Sequence, residues 1–520
     1  MGHFRLPAVI EAPPPSHPSA MSEKPRSDLK PNTFEYEMQP LITQNGFREY
    51  DARWLFGKEL NLMGVQMVGL GLGTYFHELG IEPKVATGHD YRSYEMSIKQ
   101  ALIIGLMQAG CEVVDIGLGT TPMGYFAQFA LDCPGLAMVT ASHNENGWTG
   151  VKMGAAKPLT FGPDEIKRLK AIVLGEEFKP RPGGSYSRVE NFRDKYLDEL
   201  TKGHKLSRPM KVTIACGNGT AGLFAPEAFR RIGADVTESQ CNPDYNFPNY
   251  NPNTEDLHML DAMAKDLKAN GSEIALGFDA DGDRCGVVDD KGEEVFADKI
   301  GVLLARDMST TRPGAKFVVD VKSTGIFDID PVLKKNGATT DYWITGHSYM
   351  KRRCKEIGAL CGFEKSGHYY LCDPLGRGYD DGIVAGIAIL EMLDRAGPKA
   401  KMSDLVASLP KTWGSPTMAP ECPDDKKYGV VDAMVREYQV AEKNGEQILG
   451  QKIKKLVTVN GVRVTLEDGT WGLVRASSNK PSLVVVVESP VSDAQMHAMF
   501  KDLDARLRRH PEVGDYDQKI

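Results

Sequence analysis

The chain carries Lys84-Val85-Ala86-Thr87-Gly88, a short strand-forming run that ends in a polar turn. Beyond the turn, apolar residues recur near helical spacing as far as Gly110, a typical helix-ending residue. Residues Cys111–Ile116 then predict a second strand, since they include two valines and an isoleucine. Strand, turn, helix and strand in this order are typical of an α/β domain.

The same layout occurs twice more, at a spacing of roughly a hundred residues. Lys211–Ala215 leads into the turn Gly217–Gly222 and a helix through Ala228, and Lys316–Asp320 leads into the turn Lys322–Gly325. Each copy starts with lysine, has threonine and glycine in or beside its turn, and leaves its helix at a glycine. We therefore predict three related α/β domains.

The C-terminal part has a different pattern. Asn460-Gly461 lies between two strand-forming runs and predicts a β-hairpin, and a helix with one apolar face is expected from Asp493 to Arg508. The proline-rich stretch 410–425 is expected to be a linker that lets this part move. The prediction is a disordered tail at 1–45, α/β domains at 46–195, 196–298 and 299–412, and an α+β domain at 420–520, around a central cleft.

Composition excludes several classes of function. A net charge of −8 argues against a nucleic-acid partner, and no stretch is apolar enough for a membrane span. Nine scattered cysteines without a C-x-x-C pair indicate reduced thiols in a cytoplasmic protein. An anionic substrate would therefore need a locally basic cleft within an acidic protein.

The first candidate site is the loop Thr140–Gly147. It follows the apolar strand Leu136–Val139, so Ser142 is expected at the carboxyl end of a strand, where α/β sheets bind ligands. The second is Asp279-Ala280-Asp281-Gly282-Asp283-Arg284, which also follows an apolar run, Ile274–Phe278. A calcium-binding EF-hand is excluded, because its sixth and twelfth positions would be Arg284 and Asp290.

Three carboxylates at alternate positions form a hard oxygen site for which Mg²⁺ is the best candidate. Arg284 beside them offers a planar fork for phosphate. A serine hydroxyl, a metal site and a neighbouring cation together predict phosphoryl transfer.

From about residue 46 to its end, the sequence resembles the α-D-phosphohexomutase superfamily. The resemblance rests on a set of motifs in the family's order, each weak alone but specific together: Tyr50-Asp51-Ala52-Arg53, Thr140-Ala141-Ser142-His143-Asn144, Asp279–Arg284, Gly346-His347-Ser348, Glu364-Lys365-Ser366-Gly367-His368 and Arg475-Ala476-Ser477-Ser478-Asn479.

The resemblance implies a role for each motif. Ser142 would carry a phosphate, and Asp279, Asp281 and Asp283 would bind Mg²⁺ together with an oxygen of the phosphoserine. Glu364 and Ser366 would bind the 3- and 4-hydroxyls of the sugar. The phosphate that is not transferred would be held by the last motif, through Arg475, Ser477, Ser478 and Asn479.

The remaining candidates follow from the chemistry of phosphoryl transfer. Charge on the transferred group would be stabilised by Arg53, Lys152 and Arg284, and either Lys152 or His143 could act as the base. Further substrate contacts are expected from Tyr50, Lys322, His347 and His368. Lys365 replaces the methionine common in relatives, and the serine loop lacks their usual proline after Asn144.

The expected activity is the interconversion of hexose 1-phosphate and hexose 6-phosphate, with mannose or glucose as the sugar and hexose 1,6-bisphosphate as intermediate and activator. Phosphoglucosamine mutase, a metal-dependent sugar phosphatase using the same serine, and a non-catalytic sugar-phosphate-binding protein are the alternatives. The expected partners are small sugar phosphates, for a monomer or homodimer.

Overall fold

The computed structural model describes residues 39–478 and 480–520. Most of the expected disordered tail, residues 1–38, lies outside this part. Leu41 and Ile42 are nevertheless buried, and the Leu41 backbone N–H donates to Asn61 Oδ1 at 3.0 Å. Ordered structure therefore begins before residue 46. Within the described ranges, no helix is long and apolar enough to cross a membrane.

The first domain contains a mixed seven-stranded sheet. Its strands are β1 (Ala52–Leu55), β2 (Lys84–His89), β3 (Glu112–Leu118), β4 (Gly135–Val139), β5 (Trp148–Ala156), β6 (Leu159–Thr160) and β7 (Ser185–Arg188). Its helices are α1 (Leu62–Glu78), α2 (Glu95–Gln108), α3 (Thr121–Ala130), α4 (Pro163–Leu174) and α5 (Phe192–Thr201), after a 3₁₀ turn at Gln44–Gly46. The strand order is β1-β5-β4-β2-β3-β7, with β6 beside β5. Strand β2 is parallel to both neighbours, and β4 is antiparallel to β5.

The second domain repeats this pattern with five strands. They are β8 (Lys211–Ala215), β9 (Asp235–Ser239), β10 (Ile274–Phe278), β11 (Cys285–Val288) and β12 (Glu294–Val295), with a 3₁₀ turn at Thr220–Leu223 and helices α6 (Ala225–Arg231) and α7 (Leu257–Asn270). The order is β12-β11-β10-β8-β9. Again the first strand, β8, lies between two parallel partners, and β10 turns back into antiparallel β11.

The third domain has four strands in the order β14-β13-β15-β16. They are β13 (Lys316–Asp320), β14 (Thr339–Trp343), β15 (Cys361–Phe363) and β16 (Tyr369–Leu371). The helices are α8 (Ala297–Thr311), α9 (Ile326–Ile329), α10 (Pro331–Lys335), α11 (His347–Ile357), α12 (Gly382–Arg395) and α13 (Met402–Ala407). The single helix expected after the Lys322 turn is thus divided at Pro331, which cannot continue α9.

The C-terminal domain is an antiparallel six-stranded sheet covered by two helices. Its elements are β17 (Trp413–Gly414), α14 (Lys427–Asn444), β18 (Gln447–Ile448), β19 (Gln451–Val457), β20 (Val462–Leu466), β21 (Trp471–Ala476), β22 (Leu483–Ser489) and α15 (Asp493–Leu507). The apolar face expected on α15 is buried in the core at Met496, Met499, Phe500 and Leu503. The architecture predicted from the sequence, three related α/β domains and a C-terminal α+β domain, is confirmed.

The hairpin predicted at Asn460-Gly461 is confirmed, because β19 and β20 pair antiparallel. Val457 pairs with Arg463, so the loop between the two strands is longer than two residues. The proline-rich stretch is not a free linker, since β17 and Met418 pair with the last strand, β22.

A continuous apolar core joins the four domains. One cluster of contacting buried side chains contains Phe126, Phe229, Phe363 and Trp471, one from each domain in chain order. The domains therefore pack as one body, and the cleft between them has defined walls.

Candidate active site

Three loops in equivalent positions carry the main candidate residues. In each of the first three domains, the loop joins the third parallel strand to the antiparallel strand that follows it. The loop between β4 and β5 carries Ser142, the loop between β10 and β11 carries Asp279–Asp283, and the loop between β15 and β16 carries Glu364–His368. The last two loops also pair with each other, as the Cys285 N–H donates to Gly367 O at 2.9 Å. The repeat therefore brings the three loops to one place.

Ser142 lies in a constrained loop. Its backbone has a φ of 53°, in the left-handed region that non-glycine residues rarely adopt outside turns and functional sites. Arg92 donates to the carbonyl oxygens of Ser142 at 2.9 Å and Asn144 at 2.7 Å, and Asn251 of the second domain donates to the carbonyl oxygen of His143 at 2.8 Å. The Ser142 hydroxyl lies 3.2 Å from Nδ1 of His143. These bonds fix the direction of the hydroxyl.

The acidic loop is fully buried beneath the serine. Asp279, Asp281 and Asp283 are each 0% exposed, and each offers a ligand atom within 4.8 Å of the others. Among the described residues, Asp279 Oδ2, Asp281 Oδ1 and Asp283 Oδ1 accept no hydrogen bond. Buried carboxylate oxygens without partners are costly, so this donor set fits a divalent cation with oxygen preference.

The serine loop and the acidic loop are connected through Thr140. Its hydroxyl accepts the backbone N–H of Ser142 at 2.8 Å and lies 3.3 Å from Asp281 Oδ2. Asp281 also accepts a hydrogen bond from the hydroxyl of Thr121 at 2.6 Å. Ser142 is thus held close to the acidic loop.

Lys152, on β5, forms ion pairs with Asp281 at 2.8 Å and with Asp283. Burial alone would lower the pKa of Lys152, but the two carboxylates outweigh it and raise the pKa above its ordinary value. Burial, followed by the charge of Arg284, holds the pKa of His143 well below its usual range. The two carboxylates therefore favour the charged form of Lys152, whereas burial favours the neutral form of His143.

The loops open into a cleft of about 150 Å³. Residues of all four domains line it. The candidates from the sequence among them are Tyr50, Arg53, Ser142, His143, Lys152, Arg284, Lys322, His347, Glu364, Ser366, His368, Arg475 and Ser478. The three aspartates lie below its surface. Ser477 does not line it, and Asn479 lies outside the described residues.

Glu364 is held at the base of the cleft. Its Oε1 accepts the backbone N–H of Gly346 at 2.6 Å, and its Oε2 accepts the hydroxyl of Tyr370. Burial raises its pKa, opposed by the nearby His368. Burial, with the charge of Asp51 next, raises the pKa of Tyr50 to about 12, so its phenol remains a hydrogen-bond donor. Both groups suit sugar hydroxyls.

The two histidines have different partners. Nε2 of His368 accepts a hydrogen bond from Nε of Arg284 at 3.0 Å, and Nδ1 lies 2.9 Å from Asp380. Nδ1 of His347 lies 3.1 Å from the hydroxyl of Thr160. Nε2 of His347 is buried without a hydrogen bond among the described residues. Burial lowers the pKa of His347 well below its usual range.

Arg475 lies on β21 in the cleft wall. It is 6% exposed, and its Nη1 donates to the carbonyl oxygen of Ala476 at 2.8 Å. Its Nε has no hydrogen-bond partner within the described part of the chain, and burial lowers its pKa. The Lys322 ammonium group makes no ion pair or hydrogen bond with a described residue. The cleft therefore contains cationic groups that an anion can still engage.

Some cleft residues were not expected from the sequence. Glu255, which lies 3.7 Å from Arg284, follows no motif and comes into the cleft only through the fold of the second domain. Asp380 and Lys351 form a fully buried ion pair at 2.7 Å behind His368. A lysine on a helix and an aspartate after a turn give no sequence signal for such a contact.

Gly346→Ala is expected to disturb the packing of Gly346 against Tyr50 in the cleft wall. Gly346 has a φ of +129°, and an added Cβ would lie 2.7 Å from Cε1 of Tyr50. Strain and overlap together are expected to lower the free energy of unfolding by about 1–3 kcal/mol and to raise KM. Urea denaturation and steady-state kinetics measure both. Gly429→Ala, on a helix with nothing within 4 Å of the new Cβ, is the control; equal effects of the two substitutions would contradict the prediction.

The chain matches the four domain families of one protein family. "Phosphoglucomutase/phosphomannomutase, alpha/beta/alpha domain I" covers residues 44–180, domains II and III cover 194–292 and 296–413, and the C-terminal domain covers 421–506.

Individual relatives agree with this match. A phosphomannomutase/phosphoglucomutase of Pseudomonas putida is 34% identical over 90% of this chain and 96% of the relative. A phosphoglucomutase of Neisseria gonorrhoeae is 32% identical over 87% and 95%. The crystal structure of a phosphoglucomutase/phosphomannomutase family protein from Burkholderia thailandensis has a TM-score of 0.82 and 29% identity, covering 92% of this chain and 100% of that one. The chain belongs to the phosphoglucomutase/phosphomannomutase family.

Proposed function

We propose that this protein is a phosphohexomutase that interconverts hexose 1-phosphates and hexose 6-phosphates of glucose, mannose or both. The observation that carries the proposal is the meeting of Ser142, the buried aspartates and Arg475 at one cleft. A phosphatase would need the first two groups only. Arg475, a cation from a separate domain, suits a second phosphate on the same sugar.

Ser142 is the proposed phosphate carrier. The Ser142 phosphoester bond breaks as the free 1- or 6-hydroxyl of the bound sugar forms its own bond to phosphorus, which gives hexose 1,6-bisphosphate. The bisphosphate reorients, and its other phosphate returns to Ser142. Added hexose 1,6-bisphosphate therefore acts as an activator by phosphorylating the serine. The sugar hydroxyl that attacks phosphorus must lose its proton to an acceptor near Ser142. His143 Nδ1, 3.2 Å from the hydroxyl oxygen of Ser142, is a candidate acceptor.

Charge on the transferred group is stabilised by fixed cations. Arg53 on β1 donates to Asn144 at 2.6 Å and is held by Asp51, so its guanidinium adjoins the serine loop. Lys152 and Arg284 line the same part of the cleft.

Mg²⁺ is the proposed metal. Asp279, Asp281 and Asp283 would hold it, with an oxygen of the Ser142 phosphate as a further ligand, and it would supply positive charge for the transferred oxygens. The three buried carboxylate oxygens that accept no hydrogen bond from a described residue support this assignment.

Glu364 and Ser366 are the proposed readers of the sugar. A carboxylate fixed by two donors can accept hydrogen bonds from neighbouring hydroxyls. Glucose and mannose share the 3- and 4-hydroxyls and differ at the 2-hydroxyl, so the same contacts serve both sugars. Tyr50, His347, His368 and Lys322 are proposed to complete the sugar and phosphate contacts, and Arg475, Ser477, Ser478 and Asn479 to hold the second phosphate.

The decisive experiment is a product analysis. The protein, supplied with Mg²⁺ and a trace of glucose 1,6-bisphosphate, is incubated with glucose 1-phosphate, mannose 1-phosphate or glucosamine 6-phosphate. We expect the 6-phosphates of glucose or mannose without stoichiometric inorganic phosphate. Release of phosphate alone would identify a phosphatase, and a preference for glucosamine 6-phosphate would identify a phosphoglucosamine mutase.

Arg475→Ala is expected to weaken binding of the monophosphate. Loss of charge-assisted hydrogen bonds of about 1.5–3 kcal/mol corresponds to a rise of about 10- to 100-fold in KM, with a smaller change in kcat. Steady-state kinetics with glucose 1-phosphate measures both constants. Arg436→Ala, at an exposed position on α14, is the matched control. An unchanged KM for Arg475→Ala would refute the second-phosphate role.

A further inference from the structure

The C-terminal domain grips the turn that follows β13. Nη1 of Arg463, on β20, donates to the carbonyl oxygens of Val321 at 2.8 Å and Ser323 at 2.6 Å. The guanidinium is 2% exposed and lies over the rings of Trp471 at 3.6 Å and Tyr342 at 4.1 Å. Stacking and a double donor contact together fix the turn in one geometry.

Glu488, on β22, holds the other end of the same turn. Its carboxylate accepts the hydroxyl of Thr324 at 2.7 Å, the backbone N–H of Gly325 at 2.8 Å and the indole N–H of Trp471 at 3.0 Å. The carboxylate is buried, so its charge is stabilised by these donors and not by water. The turn is thus bound at both ends by the C-terminal domain.

In the sequence, Lys322 lies between Val321 and Ser323, whose carbonyl groups accept the hydrogen bonds from Arg463. Lys322 lines the cleft. Its ammonium group makes no ion pair or hydrogen bond with a described residue. Arg475 lies on β21, which pairs with the strand of Arg463. One docking contact therefore sets the position of Lys322 relative to Arg475.

We infer that Arg463 is a positioning residue, which fixes Lys322 so that Lys322 and Arg475 engage one bound sugar phosphate together. This inference rests on the proposed function. Arg463 itself does not line the cleft and acts through the backbone on both sides of Lys322.

Arg463→Lys keeps the charge but removes the planar guanidinium that stacks on Trp471 and Tyr342 and holds Nη1 against both carbonyl groups. We expect KM for glucose 1-phosphate to rise about 10-fold and kcat to change less than about threefold. Arg436→Lys is the control. Circular dichroism and thermal melting check the fold, and Glu488→Gln, which keeps the size of the side chain, undergoes the same tests in case Arg463→Lys does not fold.

A double variant separates positioning from general damage. In a Lys322→Met background, Arg463→Lys should change KM less than about twofold, because the residue through which it acts is gone. The inference would be overturned if the increases in KM caused by Lys322→Met and Arg463→Lys multiplied in the double variant. It would also be overturned if folded Arg463→Lys had the KM of the wild-type protein. Binding of glucose 1,6-bisphosphate is measured by calorimetry in parallel. If the wild-type protein has no mutase activity, the proposed function is refuted. The affinities of the single and double variants for glucose 1,6-bisphosphate then still test the role of Arg463.

Discussion

Ser142→Ala is expected to lower kcat by roughly four orders of magnitude or more, because it removes the hydroxyl that is proposed to carry the phosphate. The hydroxyl is the only group removed. The bonds that shape the loop, from Arg92 to the Ser142 carbonyl and from the Ser142 N–H to Thr140, are made by the backbone and remain. The variant should therefore fold normally.

Two measurements check this result. A coupled assay for glucose 6-phosphate gives the rate, and intact mass after incubation with glucose 1,6-bisphosphate shows whether a phosphoryl group is added. Ser185→Ala, at an exposed position on β7, is the matched control. Retained turnover, or the same added mass in Ser142→Ala, would refute the assignment of the phosphate carrier.

Asp281→Asn is expected to lower kcat by roughly 10²- to 10³-fold and to weaken Mg²⁺ binding. Asp281 lies at the centre of the site, since it accepts hydrogen bonds from Thr121 and Lys152 and lies beside Thr140. Asparagine keeps the shape but removes one of three charges that attract the metal. Lys152 still pairs with Asp283, so the fold should survive.

Mg²⁺ titration of activity and calorimetry of Mg²⁺ binding test this prediction. Chelation with EDTA should abolish the activity of the wild-type protein, and added Mg²⁺ should restore it. Asp425→Asn, at a 74% exposed carboxylate, is the control. If the Asp281→Asn variant bound Mg²⁺ with wild-type affinity, the acidic loop would not be the metal site.

Strands were the most predictable elements. Lys211–Ala215, Ile274–Phe278 and Lys316–Asp320 form strands with the bounds that their apolar runs indicated. Each run is short and flanked by turn-forming residues, so local sequence and tertiary burial agree. The motif loops were predictable for the same reason, because they begin where these strands end.

Tertiary contacts decided what the sequence could not. Asn460-Gly461 favours a tight turn by local preference, yet Arg463 pairs with Val457, and its side chain binds the third domain. The stretch after Pro410 looks like a linker, but its backbone pairs with the last strand. Glu255 has no local signal at all, since its place in the cleft depends on how a long loop folds back.

The three equivalent hairpin loops also record the history of the chain. Three unrelated segments are not expected to carry their candidate site residues in the same loop of the same strand arrangement. A single ancestral α/β unit, duplicated and fused, accounts for the arrangement. In the proposed function each copy has a different role: the first loop carries the phosphate, the second binds the metal and the third contacts the sugar. The proposed active site would thus combine three different roles at one repeated topological position.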